Sequence, residues 1–337
     1  MDSNDKKLNN LLLYWLTSSL ILVFIIIIVG GLTRLTNSGL SITEWELFKG
    51  ILPPTNDTTW ELYFNQYKKI PQYFLLNENM ILDEFKIIFY WEYIHRNLAR
   101  LIGLFFLIPL ILFYISNKID KKTLNSCFLI FLLILLQGVV GWYMVKSGLV
   151  NDVTVSHYRL SIHLSLAFII ISSIFWLIKN LLNKTQKKFF ILKKRNVPFL
   201  LLIILLFLQI IFGAFVSGLD AGRIYQTWPL MGQSYFPDDV FIEKLHNLFN
   251  FNNHSIVQFY HRNLAYFLIF YIFSISVYIY KKNKNELYKP LKMLIYLLII
   301  QIFLGIYTLV SGLNIYLASA HQISSVVLVF SAINLYY

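Results

Sequence analysis

The chain has 337 residues, of which 57% are hydrophobic and 14% charged, and its mean hydropathy is +0.62. Soluble domains are about half apolar and a quarter charged, so these values exclude an ordinary soluble protein and indicate an integral membrane protein. The formal net charge of +12 comes from basic residues in short segments between apolar stretches. There they fix topology and contact anionic lipid, and no nucleic-acid partner is expected.

Eight apolar stretches are long enough to cross about 30 Å of hydrocarbon, which takes roughly 20 helical residues. In chain order they are Leu11–Leu32, Tyr90–Ser116, Phe128–Lys146, Tyr158–Ile178, Phe199–Leu219, Val257–Tyr280, Leu291–Ser311 and Ile315–Tyr336. The first is too long for a signal-peptide core, has no cleavage site behind it and does not resemble a transit peptide, so we expect it to be retained. Cys127, the single cysteine, lies inside an apolar stretch, which excludes an intramolecular disulfide.

Lysine and arginine cluster at the N-terminus and after the second, fourth and sixth stretches. The positive-inside rule therefore predicts that both termini are cytoplasmic. Two long segments, Arg34–Phe89 and Asp220–Ile256, would then face outward. They mix charges of both signs with tryptophan and proline, which favours folded caps over disordered linkers.

The sequence contains an internal duplication. The pentapeptide His95–Ala99 recurs unchanged as His261–Ala265, and Gln137-x3-Gly141 recurs with its flanking residues as Gln301-x3-Gly305 at nearly the same spacing. Each half, 1–197 and 198–337, has four spans, so the halves are expected to run parallel about an axis along the membrane normal. The glycines allow close helix approach and the glutamines can bond between helices, so helix packing alone would explain the Gln-x3-Gly set. A related copy, Gln209-x3-Gly213, ends the fifth stretch.

Four histidines begin the even-numbered spans, two in each half: His95, His163, His261 and His321. All four spans run inward from the outer side, which puts these side chains at one depth near the outer boundary of the hydrocarbon. Paired histidines on facing helices commonly hold a haem iron axially. Zinc is the rival ligand, but it would want further cysteine or carboxylate ligands nearby. His157, His246 and His254 have no counterpart in the other half, and we expect ordinary surface or interfacial positions for them.

The two histidine motifs differ three residues upstream, where Glu92 in the first half corresponds to Gln258 in the second. Residues three apart share a helix face, so Glu92 is expected to point toward whatever His95 binds and to act as a general acid or base, or to stabilise a cation. The plainer hypothesis pairs Glu92 with Arg96, its i+4 neighbour. Arg96 and Arg262 are candidate partners for haem propionates, whereas Arg100 could equally snorkel to the interface.

These residues resemble the haem A synthase family, in the branch shared by alphaproteobacteria and mitochondria. The resemblance covers nearly the whole chain and is carried by Gly30–Ser41, Glu92–Arg96, Gln137–Leu149, Tyr158–Leu164, Gly218–Gly222, Trp228–Gly232, His261-Arg262 and His321-Gln322. It implies an all-α membrane protein of eight spans, forming two four-helix bundles related by a pseudo-twofold axis. Some bacterial members carry cysteine pairs in the outer loops, and this chain has none.

By the same resemblance the C8 methyl of haem O, the substrate, is oxidised by successive hydroxylations to the formyl group of haem A. His95 and His163 would hold the substrate haem with Glu92 beside it, and His261 and His321 would ligate a resident haem b. Expected partners are the lipid bilayer, a haem O synthase, an electron acceptor and a second copy of the chain. The expected location is a bacterial inner membrane, with the mitochondrial inner membrane as the alternative. Rival functions are a di-haem electron carrier that does not modify its haem, and a haem transporter.

Overall fold

The computed structural model describes residues 3–45, 49–117, 119–151, 153–240 and 245–337, and within them the secondary structure is helical. The α-helices are α1 Ser3–Leu35, α2 Asp57–Tyr67, α3 Pro71–Leu76, α4 Leu82–Ser116, α5 Lys121–Asn151, α6 His157–Leu182, α7 Val197–Gly218, α8 His254–Lys281, α9 Tyr288–Val310 and α10 Ile315–Tyr336. Short 3₁₀ turns lie at Lys49–Ile51, Ala221–Arg223, Leu245–Phe249 and Asn285–Leu287.

Eight of the described helices, α1 and α4 to α10, are long and apolar enough to span a membrane. This confirms the eight predicted spans and a multi-pass membrane protein. Several helices extend beyond the predicted limits; α4, for example, begins at Leu82 and not at Tyr90. Its added turns carry Asp83 and Glu84, and the Glu84 carboxylate accepts the backbone N–H of Ile81 at 3.1 Å. A search for apolar residues alone overlooks such a capped polar start.

The chain divides into two compact units, residues 1–186 and 187–337. In the first, α1 contacts α4 and α6, and α5 contacts the same two helices, so the four spans close into a ring. In the second, α7 contacts α8 and α10, and α9 contacts the same two helices. The pseudo-twofold relation between two bundles, and the boundary at residue 197, stay predictions.

The first outer segment is folded, with α2 packed against α4 and α3 against α5. The Asn56 side chain caps α2 by accepting the Thr59 N–H at 2.8 Å. A buried apolar cluster joins the segment to α4; it consists of Leu40, Ile42, Trp60, Phe64, Tyr67, Ile70, Phe85, Ile88 and Phe89. We call this cluster the cap core. Because Phe85, Ile88 and Phe89 belong to α4 itself, the cap core fixes the position of the helix that carries His95.

The second outer segment is held to α8 by polar contacts. Asp239 accepts the Tyr225 hydroxyl at 2.7 Å and the Ser255 hydroxyl of α8 at 2.7 Å. Partial burial, together with the hydrogen bond to Asp239, raises the pKa of the Tyr225 phenol above its usual value. The neutral phenol therefore remains the donor that links this segment to α8.

Candidate functional site

The first unit brings His95 of α4 and His163 of α6 close together, edge to face. Their ring centroids lie 6.5 Å apart, with the ring planes at 69°. Each ring also rests against a glycine of the preceding spanning helix. A Cβ added to Gly30 of α1 would lie 3.1 Å from His95 Nε2, and one added to Gly141 of α5 would lie 3.0 Å from His163 Cε1. Both imidazoles thus occupy space that any other residue would fill.

The second unit repeats this arrangement around its own two histidines. A Cβ on Gly213 of α7 would lie 3.2 Å from Cε1 of His261, and one on Gly305 of α9 would lie 2.9 Å from Cε1 of His321. In all four cases the glycine belongs to the span that precedes the histidine. The glycines therefore make room for imidazole rings as well as for helix backbones.

The glutamines of the Gln-x3-Gly motifs hydrogen-bond to the same histidines. The side-chain amides of Gln137, Gln209 and Gln301 each donate to the backbone carbonyl of the histidine on the next span, at 3.0 Å in every case; these carbonyls belong to His163, His261 and His321. The expectation that glutamine bonds between helices is confirmed. The sequence left open which group would accept the bond.

Glu92 is buried, with 2% of its surface exposed, and both carboxylate oxygens are bound by protein donors. Oε2 accepts the Ser41 hydroxyl at 2.7 Å and the Ile42 backbone N–H at 2.8 Å. Oε1 accepts Nε and Nη2 of Arg96 at 3.0 and 2.6 Å. The plainer hypothesis of a Glu92–Arg96 pair is confirmed. The carboxylate also fastens the segment after α1 to α4, a role that the sequence did not predict.

Arg96 and Arg100 of the first unit are bound to protein acceptors. Besides its two bonds to Glu92, Arg96 donates to the carbonyls of Ile42 at 2.9 Å and Glu44 at 3.3 Å. Arg100 donates to the Gly50 carbonyl at 3.1 Å and thus reaches the outer segment. The guanidinium of Arg96 therefore already has acceptors of its own, and its predicted contact with a propionate would require an exchange of partners.

The second unit uses the corresponding pair differently. The Gln258 amide donates to the Tyr225 carbonyl at 2.9 Å, and Arg262 donates to the same carbonyl at 3.0 Å and to that of Leu230 at 3.2 Å. Oε1 of Gln258 and Nε of Arg262 are buried without a hydrogen-bond partner. Where Glu92 accepts from a loop N–H, Gln258 donates to a loop carbonyl, so the carboxylate and the amide match loops of opposite polarity.

The first unit also contains a cavity of about 200 Å³ between the segment that follows α1 and helix α5. Its lining includes Trp45 and Arg96 on one side and Trp142 and Lys146 of α5 on the other. The Arg96 guanidinium lies 5.5 Å from the Trp45 ring, and the Lys146 ammonium lies 5.0 Å from the Trp142 ring. The cavity therefore combines aromatic walls with two cations, and sequence reasoning did not identify its Trp142 and Lys146.

The remaining histidines behave differently from one another. His254 is exposed at the start of α8, as expected, and the side chain of His246 lies outside the described residues. The surface or interfacial expectation is wrong for His157, which is 6% exposed with its ring centroid 4.0 Å from that of Tyr158.

Among the residues that the structure describes, no three or more His, Cys, Asp or Glu side chains form a group able to hold a metal ion.

Residues 13–333 match the profile of the COX15-CtaA family, described as cytochrome oxidase assembly protein. The chain belongs to this family. It is 49% identical over 320 residues to a Pelagibacter ubique protein named "Heme A synthase", which covers 95% of this chain and 94% of the relative. A protein of the same name from Flavobacterium psychrophilum is 40% identical, with 96% of this chain and 96% of the relative covered. Another from Rickettsia bellii is 41% identical, with 94% of this chain and 95% of the relative covered.

Proposed function

We propose that the protein is a haem A synthase, an oxidoreductase that converts the C8 methyl of haem O into the formyl group of haem A by successive hydroxylations. Family membership supports the reaction. The proximity of His95 and His163 is the observation that supports placing the substrate haem in the first unit. The His95 motif carries the carboxylate Glu92, whereas the His261 motif carries the neutral Gln258. The first unit is therefore the proposed substrate site.

The spacing of this pair fits one haem iron between the two rings. With a metal–nitrogen bond of about 2 Å and a ring nitrogen about 1 Å from its centroid, two imidazoles on opposite sides of one iron have centroids about 6 Å apart. The observed separation is 6.5 Å. Gly30 and Gly141 leave room for the two rings themselves. The cations Arg96 and Lys146, which line the 200 Å³ cavity of the first unit, suit the carboxylates of a haem edge.

His261 and His321 are the proposed ligands of a resident haem b. Each ring rests against a glycine and each backbone carbonyl accepts a glutamine amide, so both imidazoles would be held in place if they bound the haem iron. A haem bound here would carry single electrons. Arg262 keeps a buried Nε without a partner, so it is the better placed of the two proposed propionate partners.

Glu92 is the proposed acid–base residue of the first unit. Its two oxygens already accept four hydrogen bonds, so contact with any other proton donor requires one of these donors to be exchanged. The Ser41 hydroxyl is the donor that can itself release and accept a proton, whereas the Ile42 N–H and the Arg96 guanidinium cannot. We therefore expect proton movement at Glu92 to pass along its Ser41 side.

The proposed setting is a bacterial inner membrane with both termini in the cytoplasm, and the mitochondrial inner membrane is the alternative. The lysine clusters between spans support this orientation. A haem O synthase that delivers the substrate, an electron acceptor and a second copy of the chain are the proposed partners. Reporter fusions placed after Asn117 and after Leu219 test the orientation, because the two sites should report opposite sides.

The deciding experiment is expression of the chain with a haem O synthase in cells that lack haem A, followed by pigment extraction and chromatography. We expect haem A in the extract, and we expect Glu92→Ala to abolish it while the haem of the second unit is retained. Gln258→Ala, at the matching position of the other half, is the control and should still yield haem A. An extract with haem b and no haem A would favour the di-haem electron carrier.

A further inference from the structure

Three of the four histidines accept a hydrogen bond from a glutamine of the preceding span, and no glutamine occupies the matching position for the fourth. The glutamine lies four residues before the glycine that faces the histidine ring: Gln137 before Gly141, Gln209 before Gly213 and Gln301 before Gly305. The corresponding residue before Gly30, which faces His95, is Ile26. An isoleucine side chain offers no hydrogen bond, so His95 lacks the support that the other three histidines share.

The glutamine amide reaches the histidine in two ways. Its N–H bonds the backbone carbonyl, which fixes the helix segment that carries the ring. In the second unit the Gln209 amide also lies 3.2 Å from Nδ1 of His261. This one amide therefore contacts both the backbone and the ring of its histidine.

Unpaired buried atoms at these positions point to a further contact. The amide oxygens of Gln137 and Gln209 have no hydrogen-bond partner, and neither does Nδ1 of His163 or of His321. A histidine that binds iron through Nε2 carries a proton on Nδ1 and needs an acceptor for it. In the Gln137–His163 pair, the unpaired amide oxygen and the unpaired Nδ1 belong to residues that are already joined by a hydrogen bond.

We propose that Gln137, Gln209 and Gln301 are positioning residues for haem-ligating histidines, and that His95, above Ile26, is the exchangeable ligand. This inference rests on the proposed function. It makes the two haem sites unequal in a second respect. The second unit holds its haem between two supported histidines, whereas the first holds its haem between the supported His163 and the unsupported His95. A firmly held haem suits electron transfer, and a haem with one loose ligand suits a substrate that must leave as product.

The test uses full-length protein in detergent, loaded with haem b, and measures the rate of haem loss to excess apomyoglobin and the midpoint potential of each haem. Gln209→Met keeps the length of the side chain and removes its donor. We expect it to speed haem loss from the second unit by roughly 10- to 100-fold and to shift the midpoint potential of that haem. Ser274→Ala is the control, since this hydroxyl of α8 bonds only to its own helix at Phe270.

The reverse variant, Ile26→Gln, adds the missing support and should slow haem loss from the first unit. Rates and potentials equal to those of Ser274→Ala in the Gln209→Met protein would overturn the inference, as would a loss of thermal stability with both haem readouts unchanged. An Ile26→Gln protein that releases its first haem at the original rate would refute the assignment of His95 as the loose ligand. Failure of the proposed function looks different, because the unaltered protein would then form no haem A.

Discussion

The glycine beside each histidine gives the sharpest quantitative prediction. In Gly141→Ala the new Cβ lies 3.0 Å from His163 Cε1, whereas carbon atoms in good contact are about 3.5–4.0 Å apart. The imidazole must therefore give way by a few tenths of an ångström, which is comparable with the roughly 0.5 Å that a binding constellation tolerates. Overpacking costs about 1–3 kcal/mol, and alanine returns up to about 1 kcal/mol of helix propensity. Overall stability should thus fall by about 2 kcal/mol at most, while haem affinity at the first site falls roughly tenfold or more.

The matched control lies one turn earlier in α5. A Cβ added to Gly138 would have no atom within 4 Å, so Gly138→Ala should leave haem affinity unchanged and stabilise the helix slightly. Both variants are purified in detergent, titrated with haem in absorbance measurements and unfolded thermally. Equal haem affinities for Gly141→Ala and Gly138→Ala would refute the claim that Gly141 makes room for the ligand.

Three further predictions concern polar contacts made by the outer segments. Glu92→Gln should lower the free energy of unfolding by about 3–5 kcal/mol, because it leaves a buried cation without its carboxylate; an unchanged denaturation midpoint would contradict this. Tyr67→Phe should cost about 1–3 kcal/mol, since the Asn77 amide donates to the Tyr67 hydroxyl at 2.6 Å inside the cap core, and chemical denaturation measures the loss. The folded state binds the Tyr225 proton more tightly than the unfolded state does, so this contribution to stability is complete below the usual tyrosine pKa of about 10 and is lost as the pH rises through the higher pKa of the folded state. Unfolding temperatures measured across that range should fall less steeply in Tyr225→Phe than in the unaltered protein.

The spans were predictable because hydropathy acts over about 20 residues and needs no knowledge of neighbours. The Glu92–Arg96 pair was predictable for a similar reason, since i+4 contacts are local to one helix. The bonds from Ser41 and Ile42 to Glu92 were not predictable, because they join residues about 50 positions apart through the fold of the outer segment. Sequence reasoning therefore found the pair and missed the segment that the pair holds.

The partners of the histidines illustrate the same limit. The three Gln-x3-Gly motifs were visible, yet their target depended on which helices pack together and in what register. None of the four glycines was recognised as a ring contact, although a signal was available: each histidine is preceded, one span earlier, by a glycine in the second half of that span. A comparison of the residues four positions before these glycines would also have shown that Ile26 occupies the position where the other three spans have a glutamine.

Helix α4 has 35 residues and is about 50 Å long, far more than the bilayer core requires. Its first turns belong to the cap core and its next turn carries Glu92 and His95, so one continuous rod joins the folded outer segment to the imidazole. The outer segment therefore cannot move away from the bundle as a hinged unit without moving His95. Any force on that segment, such as a partner protein docking on it, would be transmitted as tilt or rotation of α4 and would move the imidazole directly.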